Sequence, residues 1–148
     1  MIKKILLGSD FSEKSKIALK YALEFKEKYG ASLTILSVNE DFLSKDEMVM
    51  SRVSVDKISE KYRKIAVEAK LQLETLKENL ETDDIDISVL LRKGTPGEVI
   101  VSVSKEIESD LIVIGANGKD SIKDYFLGTT ASYVSDHSTV PTLTVPLI

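Results

Sequence analysis

Along this chain, apolar residues fall either in short unbroken runs or in stretches where they recur every three or four positions. Ile5-Leu6-Leu7 is a run of the first kind and is closed by Gly8-Ser9-Asp10, which predicts a buried strand followed by a turn. From Ser12 to Tyr29 the residues Ala18, Tyr21, Ala22, Phe25 and Tyr29 keep helical spacing, and Gly30 stands where a left-handed helix stop belongs. Leu33 to Val38 predicts the second strand. Residues 39–52 are polar and mixed, and predict a loop or a partly helical excursion. Ile58, Tyr62, Ile65, Ala69, Leu73, Leu76 and Leu80 then mark one face of a long amphipathic helix, with Lys and Glu on the other. This stripe reads as core rather than as a partner surface.

Ile85, Ile87 and Val89 alternate with Asp86 and Ser88, the pattern of a strand toward a sheet edge. Thr95-Pro96-Gly97-Glu98 predicts a helix start, with Thr95 as cap, Pro96 at the first helical position and Glu98 closing a capping box; the helix runs to about Glu108. Leu111 to Ile114 shows no alternation, so this strand is covered on both faces and central. Residues 128–139 suit a short helix before Pro141 and a last strand, Thr142 to Leu147. Strands and helices thus alternate, with connections long enough to return each strand parallel to the one before. The order predicts a doubly wound α/β sandwich with right-handed crossovers. Ligands of such sheets bind outside the carboxyl ends of the strands, where the winding reverses.

Composition narrows the classes. The 148 residues suit one domain, 1–148, and 43% hydrophobic with 30% charged residues is the balance of an ordinary globular chain. Lys and Arg number 20 against 24 Asp and Glu, a net charge of −4 that lacks the basic surplus needed to coat nucleic acid. Absent cysteines remove disulfides, thiol catalysis and Cys-ligated metals, and a single His weakens zinc or Ser-His-Asp chemistry. No apolar run approaches the roughly 18 residues of a membrane span, and the N-terminal run is too short for a signal peptide, so the expected location is the cytoplasm, with no membrane partner.

The loop after the fourth predicted strand runs from Gly115 to Thr130 with glycines spaced G-x2-G-x9-G-T. It is neither a Walker loop nor a G-x-G-x-x-G fingerprint. Gly115 and Gly118 let backbone N–H groups approach an anion closely, and Gly128-Thr129-Thr130 opens a helix whose N-terminus offers N–H groups, a positive dipole end and two hydroxyls. A triphosphate fits between the two pieces. Spacing alone equally allows glycines that only turn the chain and a Thr129 that only caps a helix. Asp10 fits either ligand contact or a cap on the first helix. Lys119 fits either phosphate neutralisation or an exposed loop. His137 falls at a helix end, where charge complementarity to the dipole accounts for it.

With these segments in place the sequence resembles the universal stress protein family over essentially its whole length, most closely the single-domain, ATP-binding branch. Gly115, Gly118, Gly128 and Thr129 fit that family's G-x2-G-x9-G-[ST] signature. Ile5-Leu6-Leu7-Gly8-Ser9-Asp10-Phe11-Ser12 is similar to its opening strand and acidic turn, Gly94-Thr95-Pro96-Gly97-Glu98-Val99-Ile100 to its G-x-P-x-E-x-I segment, and Val140 to Val145 to its closing strand. The resemblance implies a Rossmann-like fold of the adenine nucleotide alpha hydrolase type: five parallel strands in the order 3-2-1-4-5, with helices on both faces. It implies bound ATP with Mg2+ or Mn2+. Gly115, Gly118, Gly128, Thr129 and Thr130 would hold phosphates, Ser9 and Asp10 would lie beside the adenosine or the phosphate-bound ion, and the backbone of Val38 would meet the adenine edge. It also implies a homodimer formed through the last strand, whose apolar edge would otherwise stand open. The chain departs from the family pattern in three places: Gly8 replaces a common proline and loosens the turn, while Ser9 and Thr129 replace threonine and serine and keep the hydroxyl.

Four functions compete on these grounds. The first is an ATP-binding stress or regulatory module. The second is a slow ATPase on the same site, for which the motif places no evident general base, a lone carboxylate being ordinarily a weak one at neutral pH. The third is a nucleotide-free interaction protein, the family's other branch, which the intact glycine pattern disfavours. A phospho-acceptor receiver domain is the fourth; it needs an Asp at the end of the third predicted strand, where this chain has Leu91-Arg92-Lys93-Gly94.

Overall fold

The computed structural model describes residues 1–10, 15–39, 47–49, 67, 71, 86–116 and 128–146. In chain order these form β1 (Lys4–Gly8), α1 (Ser15–Tyr29), β2 (Ser32–Asn39), β3 (Glu47–Val49), β4 (Ile87–Lys93), α2 (Pro96–Ile107), β5 (Leu111–Ala116), α3 (Thr129–His137) and β6 (Thr142–Pro146). The sheet order is β3-β4-β2-β1-β5-β6. The pairs β4-β2, β2-β1, β1-β5 and β5-β6 are parallel, so the five parallel strands alone follow the order 3-2-1-4-5. One strand is additional. Glu47–Val49 pairs antiparallel with Arg92 to Leu90 at the edge, within the polar stretch whose sequence carries no periodicity.

Side chains alternate between the two faces of the sheet. Ile5, Leu7, Leu33, Ile35 and Val113 meet Ala18 and Ala22 of α1 on one face. Leu6, Leu36, Ile112 and Ile114 meet Ile100 and Val103 of α2 and Ala131 and Val134 of α3 on the other. Leu6, Leu7, Ile112 and Val113 are entirely buried, as unbroken apolar runs in central strands require. The register places Leu36, Gly8 and Ile114 side by side on one rung.

Two local expectations need correction. Thr95 occupies the N-cap position of α2 with an extended backbone (φ −82, ψ 122), and Pro96 follows at the first turn, but the Thr95 hydroxyl makes no capping bond. Thr95 is exposed, and its carbonyl accepts the Val99 N–H at 3.0 Å, so the helix starts through its backbone without a hydroxyl cap. The helix expected over 128–139 begins at Thr129, after Gly128, and ends at His137. Ser138 stops it early: its Oγ donates to the Val140 carbonyl at 2.8 Å and accepts the Val140 N–H at 3.1 Å, an alternative to the helical ladder.

Most of the long helix expected from Ile58 to Leu80 lies outside the described residues. Val67 and Leu71 are helical and exposed, and both fall between the positions of the predicted stripe. No described helix is long and apolar enough to cross a membrane.

Candidate functional site

β1, β2 and β5 end together at the carboxyl edge of the sheet. The Ser9 N–H donates to the Leu36 carbonyl at 2.9 Å, which carries the β1–β2 ladder one residue past Gly8 and fixes where Ser9 and Asp10 leave the sheet. Val38 lies half-buried two residues beyond Leu36, and Gly115 pairs with Val145 near the end of β5. Between these strand ends and the first turns of the three helices lies a crevice of about 190 Å³. One part of its lining is apolar, from Leu36, Val38, Ile100 and Ile114. The other is polar, from Ser9, Asp10, Ser15, Gly115 and Thr130. A ligand with a flat apolar end and an anionic end matches that division.

The start of α3 brings backbone N–H donors to the polar part of the lining. Gly128 is its N-cap, with φ 94 and ψ 160, a backbone region that residues with a side chain avoid. A glycine cap brings no side-chain oxygen, so the first-turn amides stay available to a ligand or water, at the positive end of the helix dipole. Thr130 is half-buried and lines the crevice; Thr129, one residue earlier, is exposed and does not.

Of the residues singled out in the sequence, Ser9, Asp10, Val38, Gly115 and Thr130 are thus brought to one crevice, with Gly128 and Thr129 at its helical end. Gly118 and Lys119 lie outside the described residues. Asp10 is exposed at the mouth and is the one carboxylate among the described residues lining the crevice. The described residues hold no cluster of three His, Asp or Glu that would bind a cation unaided. One carboxylate and nearby hydroxyls suit an ion of the Mg2+ type, which keeps several waters and takes other ligands from phosphates.

Ser15, Ala18, Pro96, Ile100 and Ile114 also line the crevice and were not predicted. Ile100 and Ile114 look like core in any periodicity reading, and they are core; they reach the site because the sheet edge stops beside them. A signal for Ser15 and Pro96 existed in their places near predicted helix starts, which a doubly wound sheet turns toward the same edge. His137 lies at the other end of α3. Its Nδ1–H donates to the Tyr133 carbonyl at 2.9 Å and its ring stacks on Tyr133, with centroids 3.9 Å apart.

An open α/β sheet with a half-polar crevice at its winding reversal, bounded by a glycine-capped helix start, places the chain in the doubly wound α/β class, whose sheets take ligands at that edge. The family model for the universal stress protein family matches residues 1–146, and the chain belongs to that family. It is 30% identical to universal stress protein MJ0577 of Methanocaldococcus jannaschii, over 98% of this chain and 95% of that protein. A solved structure of MJ0577 superposes with a TM-score of 0.69, covering 99% and 96% of the two chains. Universal stress protein YxiE of Bacillus subtilis is 29% identical, over 98% and 99% of the two chains. A universal stress protein solved in complex with cAMP shares the fold, with a TM-score of 0.72 at 20% identity and coverage of 99% and 98%.

Proposed function

We propose that the chain is an ATP-binding regulatory or stress-response module whose nucleotide occupies the crevice between β1, β2, β5 and α3. The observation that carries this reading is the meeting of Asp10, Val38, Gly115 and Thr130 at one crevice whose helical end is capped by glycine. The base lies against the apolar lining near Val38. The phosphates lie toward Gly115 and the first turn of α3, where Thr129 and Thr130 begin the helix. With a net charge of −4 the chain offers no global attraction for a polyanion, so affinity comes from backbone donors, the helix dipole and a divalent ion, Mg2+ or Mn2+, shared by Asp10 and the phosphates. The cAMP complex of a protein with the same fold supports an adenine nucleotide as ligand class.

Hydrolysis by the chain alone is slow in this reading, because the described lining brings one carboxylate and no histidine to the ligand. The protein works in the cytoplasm as a homodimer paired through β6, the strand at the open edge of the sheet. Mass spectrometry of ligand released from the purified, denatured protein tests the proposal, with calorimetric titration of ATP and Mg2+. Adenine nucleotide in the first and saturable binding in the second are expected; absence of both overturns it. Light scattering that gives a monomer at micromolar concentration removes the dimer.

A further inference from the structure

We propose that the open edge of β6 pairs antiparallel with β6 of a second copy in one register only, with the two-fold axis at Leu143 and Thr142 facing Thr144 of the second copy; this rests on the homodimer reading above. β6 is the last strand of the sheet, so one of its edges meets β5 and the other meets no strand among the described residues. The Ile112 N–H donates to the Pro141 carbonyl at 3.0 Å. Backbone groups along a strand point alternately to its two edges, and the parallel register from Ile112–Thr142 to Gly115–Val145 carries that alternation through β6. Pro141, Leu143 and Val145 therefore turn their backbone groups to β5, and Thr142, Thr144 and Pro146 turn theirs to the open edge.

Both ends of that edge are closed. Val140, the preceding position in the alternation, has its N–H on Ser138 Oγ at 3.1 Å and its carbonyl on the Ser138 hydroxyl at 2.8 Å. Pro146 has no N–H to give. Between these stops Thr142 and Thr144 each offer a donor and an acceptor, and they lie symmetrically about Leu143. A stretch with that symmetry is complementary to itself when reversed, as an isologous contact between identical chains requires. An axis at Leu143 sets Thr142 against Thr144 of the second copy, and each such pair exchanges both N–H···O=C bonds. An axis at Thr142 would bring Thr144 against Val140, whose groups Ser138 holds. An axis at Thr144 would bring Thr142 against Pro146 and leave the Thr142 carbonyl without a donor. A covered carbonyl left unpaired costs free energy on the scale of a lost hydrogen bond, so the register centred on Leu143 prevails. Leu143 packs on the α1 face of the sheet, and Thr142 and Thr144 fall on the opposite face. The seam thus carries threonine pairs on one side and a leucine pair on the other.

The chain has no cysteine, so introduced cysteines report the register directly. With the axis at Leu143 that residue faces its own copy in a non-hydrogen-bonded pair, with Cα atoms about 4.5 Å apart, inside the range a disulfide spans. Thr142 and Thr144 then meet their own copies only diagonally, about 7–8 Å apart and beyond that range. Leu143→Cys, Thr142→Cys and Thr144→Cys, checked for folding by circular dichroism, are oxidised with copper phenanthroline at micromolar concentration and followed on non-reducing gels, with light scattering of the parent alongside. Leu143→Cys should cross-link at least about tenfold faster than either threonine variant. The double variant Thr142→Cys/Thr144→Cys should cross-link where its single members do not. If Leu143→Cys fails to fold, the double variant against its single members decides alone. In a dimeric parent, fastest linkage through Thr142→Cys or Thr144→Cys alone, or no difference among the variants, overturns the register and leaves the dimer standing. A monomeric parent overturns both.

Discussion

The carboxylate of Asp110 accepts the backbone N–H of Lys3 at 2.8 Å, and that of Lys4 at 3.0 Å, across more than a hundred residues of sequence. The Asp110 N–H donates to the Lys4 carbonyl at 2.7 Å, so the start of β5 and the start of β1 are clamped from both sides. This corner lies at the amino end of the two central strands, opposite the crevice, and its role is stability. The Lys3 and Lys4 amides hold the Asp110 carboxyl below its ordinary value, with desolvation opposing them. A carboxyl lowered in the folded state adds stability that is complete above its unfolded value and disappears as pH falls through the folded one. Asp110→Ala should therefore lower the urea midpoint at pH 7, and the gap from the parent should close in acid, below the ordinary carboxylate range. A gap independent of pH would show that the ionised clamp contributes nothing.

Two residues before this clamp, Glu108 ends α2 in the left-handed region, with φ 56 and ψ 50, and its N–H reaches back to the Lys105 carbonyl at 3.3 Å. A glycine at such a helix stop avoids the steric cost that a Cβ imposes there. Glu108→Gly should stabilise the chain by about 1 kcal/mol in equilibrium urea unfolding. Glu108→Val, with a branched Cβ, should destabilise it.

Ser104 and Ser109, each 4% exposed, join their hydroxyls beneath the same corner. Removing one hydroxyl leaves the other buried without this bond, which costs about 1–3 kcal/mol, whereas removing both leaves no orphan. The double variant Ser104→Ala/Ser109→Ala should therefore be more stable than the sum of the two single losses implies. Additive losses in a double-mutant cycle would mean that the hydroxyls do not depend on one another.

Most of this architecture was legible because its causes are local. The unbroken runs Ile5-Leu6-Leu7 and Leu111-Ile112-Val113-Ile114 became the paired central strands, and the alternation of strand and helix sufficed for parallel pairing, while the order 3-2-1-4-5 came from the family resemblance. The antiparallel strand Glu47–Val49 was not legible: three residues carry no period, and pairing with β4 is a tertiary event. Thr95 stands at the N-cap as its sequence suggests, yet its hydroxyl makes no capping bond, since a capping sequence does not by itself fix the side-chain rotamer. At the site, Gly115 and Thr130 stood out through spacing and Asp10 through its turn, because strand ends and helix starts carry recognisable residues. Ile100 did not stand out, since a residue that serves both core and crevice has the same hydrophobic signature as one that serves the core alone.

In the proposed nucleotide reading Gly128 joins fold to ligand, and substitution there should disturb both. Its φ of 94 and ψ of 160 lie where a Cβ is strained, so Gly128→Ala should cost about 1–3 kcal/mol of stability. Relief of the strain would turn the residue and redirect the first-turn amides of α3. If ATP binds the folded state alone, nucleotide at a hundred times its dissociation constant adds about 2.7 kcal/mol to the parent's unfolding free energy. The variant should gain less at the same nucleotide concentration, because its anion-facing end is no longer held in place. Urea unfolding of both chains with and without ATP and Mg2+ separates the effects. A stability loss with the full nucleotide increment retained would confine Gly128 to shaping the helix start and remove it from the phosphate site.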